Sequence, residues 1–230
     1  MNRPIRRGFS PDTFYGAYLD NGLGCFVGAE VARLVAAAPL KNIRLMFAMA
    51  AYEEIGRLGS RVMVRDLEPD IVLAIDVAHD LKAAPGVGDK RFTPIKMGEG
   101  YVLSVGAVAS EFVNGIFEKS SQNAGIPYQV IVSGRDTGTD AMAAVFASVD
   151  AAAISMGMPI RNMHTISETG HTHDVQAAIY GVLEAAKHMD KNKLKSSDIK
   201  DGHPRLDQAP GLAHGGKSTA ATKSKRAPRK

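Results

Sequence analysis

The sequence predicts an α/β fold, a mainly parallel sheet sandwiched by helices, on three observations. Short apolar runs of strand length alternate along the chain with segments of helical period, the order that builds such a sheet. Glycines and prolines, 23 and 11 in 230 residues, punctuate the boundaries. The chain is 45% apolar with one cysteine, which gives ample core and excludes a disulfide scaffold or a thiolate zinc cluster.

The elements follow in order. Ala29 to Ala38 (AEVARLVAAA) reads as a helix stopped by Pro39. Ile43 to Ala51 (IRLMFAMAA) is a continuous apolar run, as expected of a strand covered on both faces. Gly59 to Leu67 reads as a short helix and Ile71 to Val77 (IVLAIDV) as a second buried strand. A loop carrying Pro85, Gly86 and Gly88 precedes an expected strand at Tyr101 to Val105. Ser110 to Asn123 is a helix ended by Gly125 and Pro127, and Tyr128 to Val132 is a strand. Thr139 to Ser148 reads as a helix and Ala151 to Met156 as a further buried strand. His173 to Met189 makes the last helix, with Val175, Ala178, Ile179 and Val182 on one face.

Charge divides the chain. Of 28 Lys+Arg and 24 Asp+Glu, 11 and 3 fall in residues 191–230, which leaves 17 basic against 21 acidic residues before them. Residues 1–190 are therefore expected as a mildly acidic folded domain. Residues 191–230, rich in Lys, Ser, Ala and Gly, are expected as a disordered basic tail, with weak phosphate contact to nucleic acid as its one binding role. No apolar run is long enough to span a membrane. The opening MNRPIRRGFSPD has no apolar stretch after it and is no secretory signal, so a cytoplasmic, reducing location is expected.

The chemistry lies in where acids and one histidine fall relative to the strands. Asp20 precedes the first helix, in LDNGLG, and Glu53 and Glu54 follow the run Ile43–Ala51. Asp76 sits near the end of IVLAIDV, and His164 lies in the loop after Ala151–Met156. Open α/β sheets bind ligands beyond the carboxyl ends of their strands, so all five are placed to meet at one edge. Carboxylates with imidazole are ligands for zinc, cobalt or manganese. Taken singly, an acid after a strand is also an ordinary helix cap, and spacing leaves both readings open. Adjacent acids on a strand point to opposite faces, so Glu53 and Glu54 share a site only where the backbone turns, and Gly56 suits that turn. Asp76 stands out because a buried unpaired carboxylate costs several kcal/mol and demands a cation or donors.

LDNGLG, AMAAYEEIGRLGS, EPDIVLAIDV, GIPYQV, GTDA and MPIRNMHTISE occur in that order. Together they resemble the co-catalytic metallo-aminopeptidases of the glutamyl and deblocking type, which include the tetrahedral cytosolic aminopeptidases. The resemblance runs from about Phe14 to Met189 and implies a zinc-exopeptidase-like domain acting on peptides. It implies that Asp20 bridges two divalent metals (zinc or cobalt, with manganese as a further choice), that Glu54 and His164 complete one site, and that Asp76 serves the other. Glu53 is then the general base. Gly138, Thr139 and Asp140 match a loop beside the substrate, although a capped helix start explains them equally well.

The chain also departs from the pattern. The family carries a further metal-binding histidine, in a His-x-Asp motif, upstream of the position of Asp20; here nineteen residues precede Asp20 and none is histidine. Gly22 stands where relatives often have arginine, and Ala83-Ala84-Pro85-Gly86 where they have Asp-x-Pro-Gly. The expectation is therefore the carboxyl-terminal part of such an enzyme, with one or two metals bound. Its partners are expected to be peptides, and either further copies of itself or a separately encoded amino-terminal segment. A non-catalytic remnant is the rival. An endoglucanase-type glycoside hydrolase is disfavoured, because its two carboxylates must flank the scissile bond and Glu53 and Glu54 are neighbours.

Overall fold

The computed structural model describes residues 4–84, 86 and 94–200. Its elements run β1 (Arg6–Arg7), β2 (Thr13–Gly16), α1 (Leu19–Ala37), α2 (Leu58–Leu67), β3 (Ile71–His79), β4 (Tyr101–Val105) and α3 (Glu111–Ala124). After these come β5 (Tyr128–Val132), α4 (Met142–Phe146), β6 (Ala152–Ile160), β7 (Glu168–His171), α5 (Thr172–Asn192) and α6 (Ser196–Lys200). The main sheet has the order β3-β6-β4-β5. Strands β3 and β6 are parallel, as are β4 and β5, and the two pairs meet antiparallel where Val102 faces Gly157. The sheet is thus mainly parallel with one reversal at its centre.

Period-2 alternation gives the two faces of this sheet different jobs. Ile71, Leu73, Ile75 and Val77 of β3, with Ile154, Met156, Met158 and Ile160 of β6, join the main core. Val27 and Val31 of α1, Val113 and Phe117 of α3 and the stripe Val175, Ala178, Ile179 and Val182 of α5 close over that face. Burying a large aliphatic side chain is worth about 1.5–3 kcal/mol, so this face carries most of the fold. The opposite face carries Ala74 and Ala153, which pack with Ala141 and Ala144 from the start of α4. Small residues there leave room, and Asp76 shares that face with Ala74.

Local signals shape the helices. Ser110 accepts a hydrogen bond from Val113 N at 3.3 Å to cap α3, and Gly125 ends it with φ +66°. Helix α1 starts ten residues before the expected Ala29, because tertiary contacts override three glycines that lower its propensity. One of them, Gly24, is required: a Cβ there would sit 2.2 Å from Ile75 O. The expected helix Thr139–Ser148 contracts to Met142–Phe146.

The expected strand Ile43–Ala51 is a correction. Residues 43–50 form no regular element and pair with no strand among the described residues, and Met46, Phe47 and Met49 are exposed. An apolar run becomes a strand only when a ladder partner is present. The expected tail begins differently too. Helix α5 continues to Asn192, and Leu194 and Ile199 pack against the main core, while residues 201–230 lie outside the described residues. The loop residues Pro85 and Gly88 also lie outside them. Among the described residues no helix is long and apolar enough to cross a membrane.

Candidate active-site cleft

A cleft of about 440 Å³ lies on the sparsely covered face, over the second halves of β3 and β6, and reaches across β4 and β5. Asp20, Glu53, Glu54, Asp76, Gly138, Thr139 and His164 all line it. Each arrives by a different local device. The small antiparallel sheet β1-β2-β7 leads the chain into Tyr18, at φ 65°, and so into Asp20 at the mouth of α1. The Asp20–Asn21 peptide is cis, and the Asn21 side-chain amide donates to Ile75 O at 2.8 Å, tying this entrance to β3. Glu53 and Glu54 occupy a turn in which Gly56 N and Arg57 N both donate to Glu53 O, at 3.0 and 2.9 Å. Gly56 has φ +130°, the conformation that suits glycine. His164 stands in the loop between β6 and β7 with φ 62°.

Three of the expected residues converge tightly. His164 Nε2 lies 2.9 Å from Asp20 Oδ2 and 3.6 Å from Glu54 Oε2, and one ligand atom from each residue falls within 4.8 Å of the others. One imidazole nitrogen and two carboxylate oxygens form a donor set that fits zinc, cobalt or manganese. Burial pushes the Asp20 carboxyl up, with the nearby Glu54 charge adding to it and His164 opposing.

Asp76 lies in the same cleft, 8% exposed, but outside that close group. Its Oδ1 accepts from Val77 N at 2.8 Å, and burial pushes its carboxyl up to about 7. Glu53 also stands apart from the trio. Arg57 Nε is 3.4 Å from its Oε1, and Arg57 reaches on to Asp136 at 3.2 Å. Burial raises the Glu53 carboxyl, the Asp140 charge raises it further, and Arg57 opposes both.

Thr139 is buried; its hydroxyl bonds Thr137 at 2.9 Å and Ser155 at 3.1 Å, and accepts from Ala141 N. Gly138 lines the cleft with φ +72°. Asp140 does not line it and instead accepts from Ser60 Oγ at 2.5 Å. His79, five strand residues beyond Ala74, lines the cleft but is not within the close group.

Sequence reasoning missed Glu168. It is 2% exposed; its Oε2 accepts from Leu19 N at 2.7 Å and Asp20 N at 3.2 Å, and its Oε1 from His164 N at 2.9 Å. The available signal was an acid four residues after His164, at the end of MPIRNMHTISE. Arg57 was missed as well.

Solved structures share the mixed α/β fold of this chain. A TET aminopeptidase from the marine sediment archaeon Thaumarchaeota archaeon SCGC AB-539-E09 matches 86% of this chain and 55% of its own, with TM-score 0.73 and 20% identity. The Pyrococcus horikoshii TET1 peptidase, described as assembling into a tetrahedron or a large octahedral shell, matches 81% of this chain and 53% of its own, with TM-score 0.67 and 20% identity. The chain belongs to the M42 glutamyl aminopeptidase family, whose model matches residues 8–180. The lysyl aminopeptidase of Pyrococcus furiosus is 29% identical over 184 residues, 79% of this chain. This chain spans about half the length of that relative, 51%.

Proposed function

We propose that this chain is a metal-dependent aminopeptidase that removes amino-terminal residues from peptides with a metal-activated water. The convergence of Asp20, Glu54 and His164, brought from distant parts of the chain to within 4.8 Å, carries the reading. These three would hold one divalent cation. Asp76, in the same cleft, would offer oxygen donors to a second, and burial pushes its carboxyl up to about 7. Zinc or cobalt suits the imidazole-containing site, with manganese as the oxygen-rich alternative. A cation in such a site supplies Lewis acidity toward the scissile carbonyl and lowers the pKa of bound water.

The chain's own residues do the rest. Glu53, outside the trio, takes a proton from the attacking water and returns it to the leaving amine. Its raised pKa brings it closer to the pH at which both steps are efficient. Among the described residues four carboxylates and no Lys or Arg line the cleft, so the protonated amino end of a peptide is attracted there. Gly138, Thr139 and the hydroxyls of Ser104 and Ser155 lie along the wall that meets the substrate's first side chain; Asp140 acts behind them through Ser60. The assemblies named for a structural neighbour support self-association of this chain as well. The unpaired, exposed Cys25 is consistent with the reducing cytoplasm.

Purified chain loaded with zinc or cobalt, assayed for bound metal and for hydrolysis of aminoacyl-nitroanilides, tests the reading. The expected result is one or two cations per chain with release of nitroaniline. Absence of both metal uptake and hydrolysis would overturn it.

A further inference from the structure

We infer that Glu168 is a positioning residue that clamps the two backbone segments carrying Asp20 and His164, and thereby sets the separation of these two ligands. The inference rests on the metal-site reading above. Its basis is three hydrogen bonds to main-chain donors. One carboxylate oxygen takes Leu19 N and Asp20 N at 2.7 and 3.2 Å, and the other takes His164 N at 2.9 Å. The side chain is thus a bridge with one end in each ligand-bearing segment.

Its surroundings explain why a bridge is needed. Helix α1 opens at Tyr18 with no side-chain cap, so the first N–H groups of the helix have no local acceptor. Leu19 and Asp20 find theirs across 149 and 148 residues. His164 sits at φ 62° in an irregular loop, where no regular ladder fixes the backbone. Strands β2 and β7 bring the two segments side by side, with Gly16 opposite Glu168, but that ladder ends at this pair. Glu168 continues the alignment where backbone pairing stops. No Lys or Arg among the described residues pairs with it, so its hydrogen bonds go to the main chain.

The geometry makes a sharp demand on replacement. Gln is the same size but keeps one acceptor oxygen, so its N–H₂ must face one set of N–H donors and release that segment. Asp keeps the charge but is one methylene shorter and reaches one segment only. A role through charge alone would survive Glu168→Asp; a clamp fails in both variants. Loss of an outer partner of metal ligands typically costs about 10–100-fold in metal affinity.

The test measures zinc affinity by competition with a chromogenic chelator and records the visible spectrum of the cobalt-loaded chain. Glu168→Gln and Glu168→Asp are each expected to lose about 10–100-fold in affinity and to alter the cobalt bands. Asp174→Asn, at an equally buried carboxylate that holds only Gly98 and Gly100, should change neither. Amide hydrogen exchange of the metal-free chain supplies a readout independent of the metal. In Glu168→Gln the amides of the released segment, either Leu19 with Asp20 or His164, should exchange at least about tenfold faster, the signature of lost hydrogen bonds. Metal affinity and cobalt spectrum equal to the parent in both variants would overturn the clamp. If the parent chain takes up no metal, the functional reading fails, and exchange alone decides: faster exchange at the amides of one segment upholds the clamp and unchanged exchange at all three overturns it.

Discussion

A carboxylate buried beside a sheet must find donors or keep its proton, and Asp76 and Asp174 take different routes. Asp76 was legible in the sequence because an acid inside IVLAIDV breaks an apolar run. Asp174 was not, because its partners lie some 75 residues away, and of the partners of Glu168 only His164 is near in sequence, Leu19 and Asp20 lying about 148 residues off. Asp174 is fully buried at the first turn of α5 and accepts from Gly98 N and Gly100 N at 2.7 and 2.8 Å. Burial nevertheless pushes its carboxyl up to about 6 from an ordinary 3.8, against these bonds and His173, with Asp80 adding to the rise. The folded chain therefore binds this proton more tightly than the unfolded one, so its contribution to stability grows as pH falls through about 6 and levels off near 3.8. At about 1.4 kcal/mol per unit the gain is on the order of 3 kcal/mol. Urea unfolding of the parent and Asp174→Asn at pH 7 and pH 4.5 should show the difference between them moving in the parent's favour at the lower pH. A difference independent of pH would refute the assignment. At the cleft, Glu53→Gln removes the carboxylate proposed to carry the proton without touching the trio. Turnover should fall by about 10²–10⁴-fold while zinc affinity stays within a few-fold of the parent; loss of zinc together with turnover would instead make Glu53 a ligand.

At the scale of elements, the apolar pattern located β3, β4, β6 and α3 because each buries residues that its own sequence announces, and it located β5 although Val130 and Val132 stay exposed. The three-stranded sheet β1-β2-β7 was invisible: its strands have 2, 4 and 4 residues, too short for any pattern. The run Ile43–Ala51 fails for the converse reason. Its apolar content is that of a buried strand, but strand formation is a property of a pair, and nothing described pairs with it. The turn after it was nonetheless legible, since Gly56 marks the turn that Glu53 and Glu54 share. Caps were less legible: the pattern makes Ser110 the first residue of the helix, and α4 follows Ala141 with no side-chain cap. Ser110 lies directly before α3, and its hydroxyl accepts from Val113 N. Ser110→Ala should cost about 1 kcal/mol, seen as a melting temperature lower by roughly 2–4 °C. An unchanged melting temperature would mean that the first turn of α3 is held by packing of Val113 and Phe117 instead.

The whole molecule leaves one side unfinished. Phe26, Met46, Phe47, Met49, Tyr52 and Ile55 are all exposed, Met49 at 68% and Ile55 at 71%. All but Phe26 lie in residues 46–55, and Phe47 lies 3.5 Å from the Cβ position of Gly28 in α1, the helix that carries Phe26. Strand β3, the next strand in sequence after α2, pairs among the described residues with β6 alone. Exposed apolar side chains and an open sheet edge each favour burial against another chain over exposure to water. Residues 1–190, at 17 basic against 21 acidic, carry too small an excess charge to oppose it. A second copy is the partner always present, and association then depends on concentration. Sedimentation velocity from low to high micromolar chain should show a rising mean mass. Phe47→Lys with Met49→Lys places two cations in the centre of the surface, where burial of unpaired charge costs several kcal/mol, and should return the chain to a single slow species. These residues lie outside the cleft, so zinc affinity should be the same in both forms. A parent chain that sediments as a monomer at every concentration would show that this surface is not closed by a second copy.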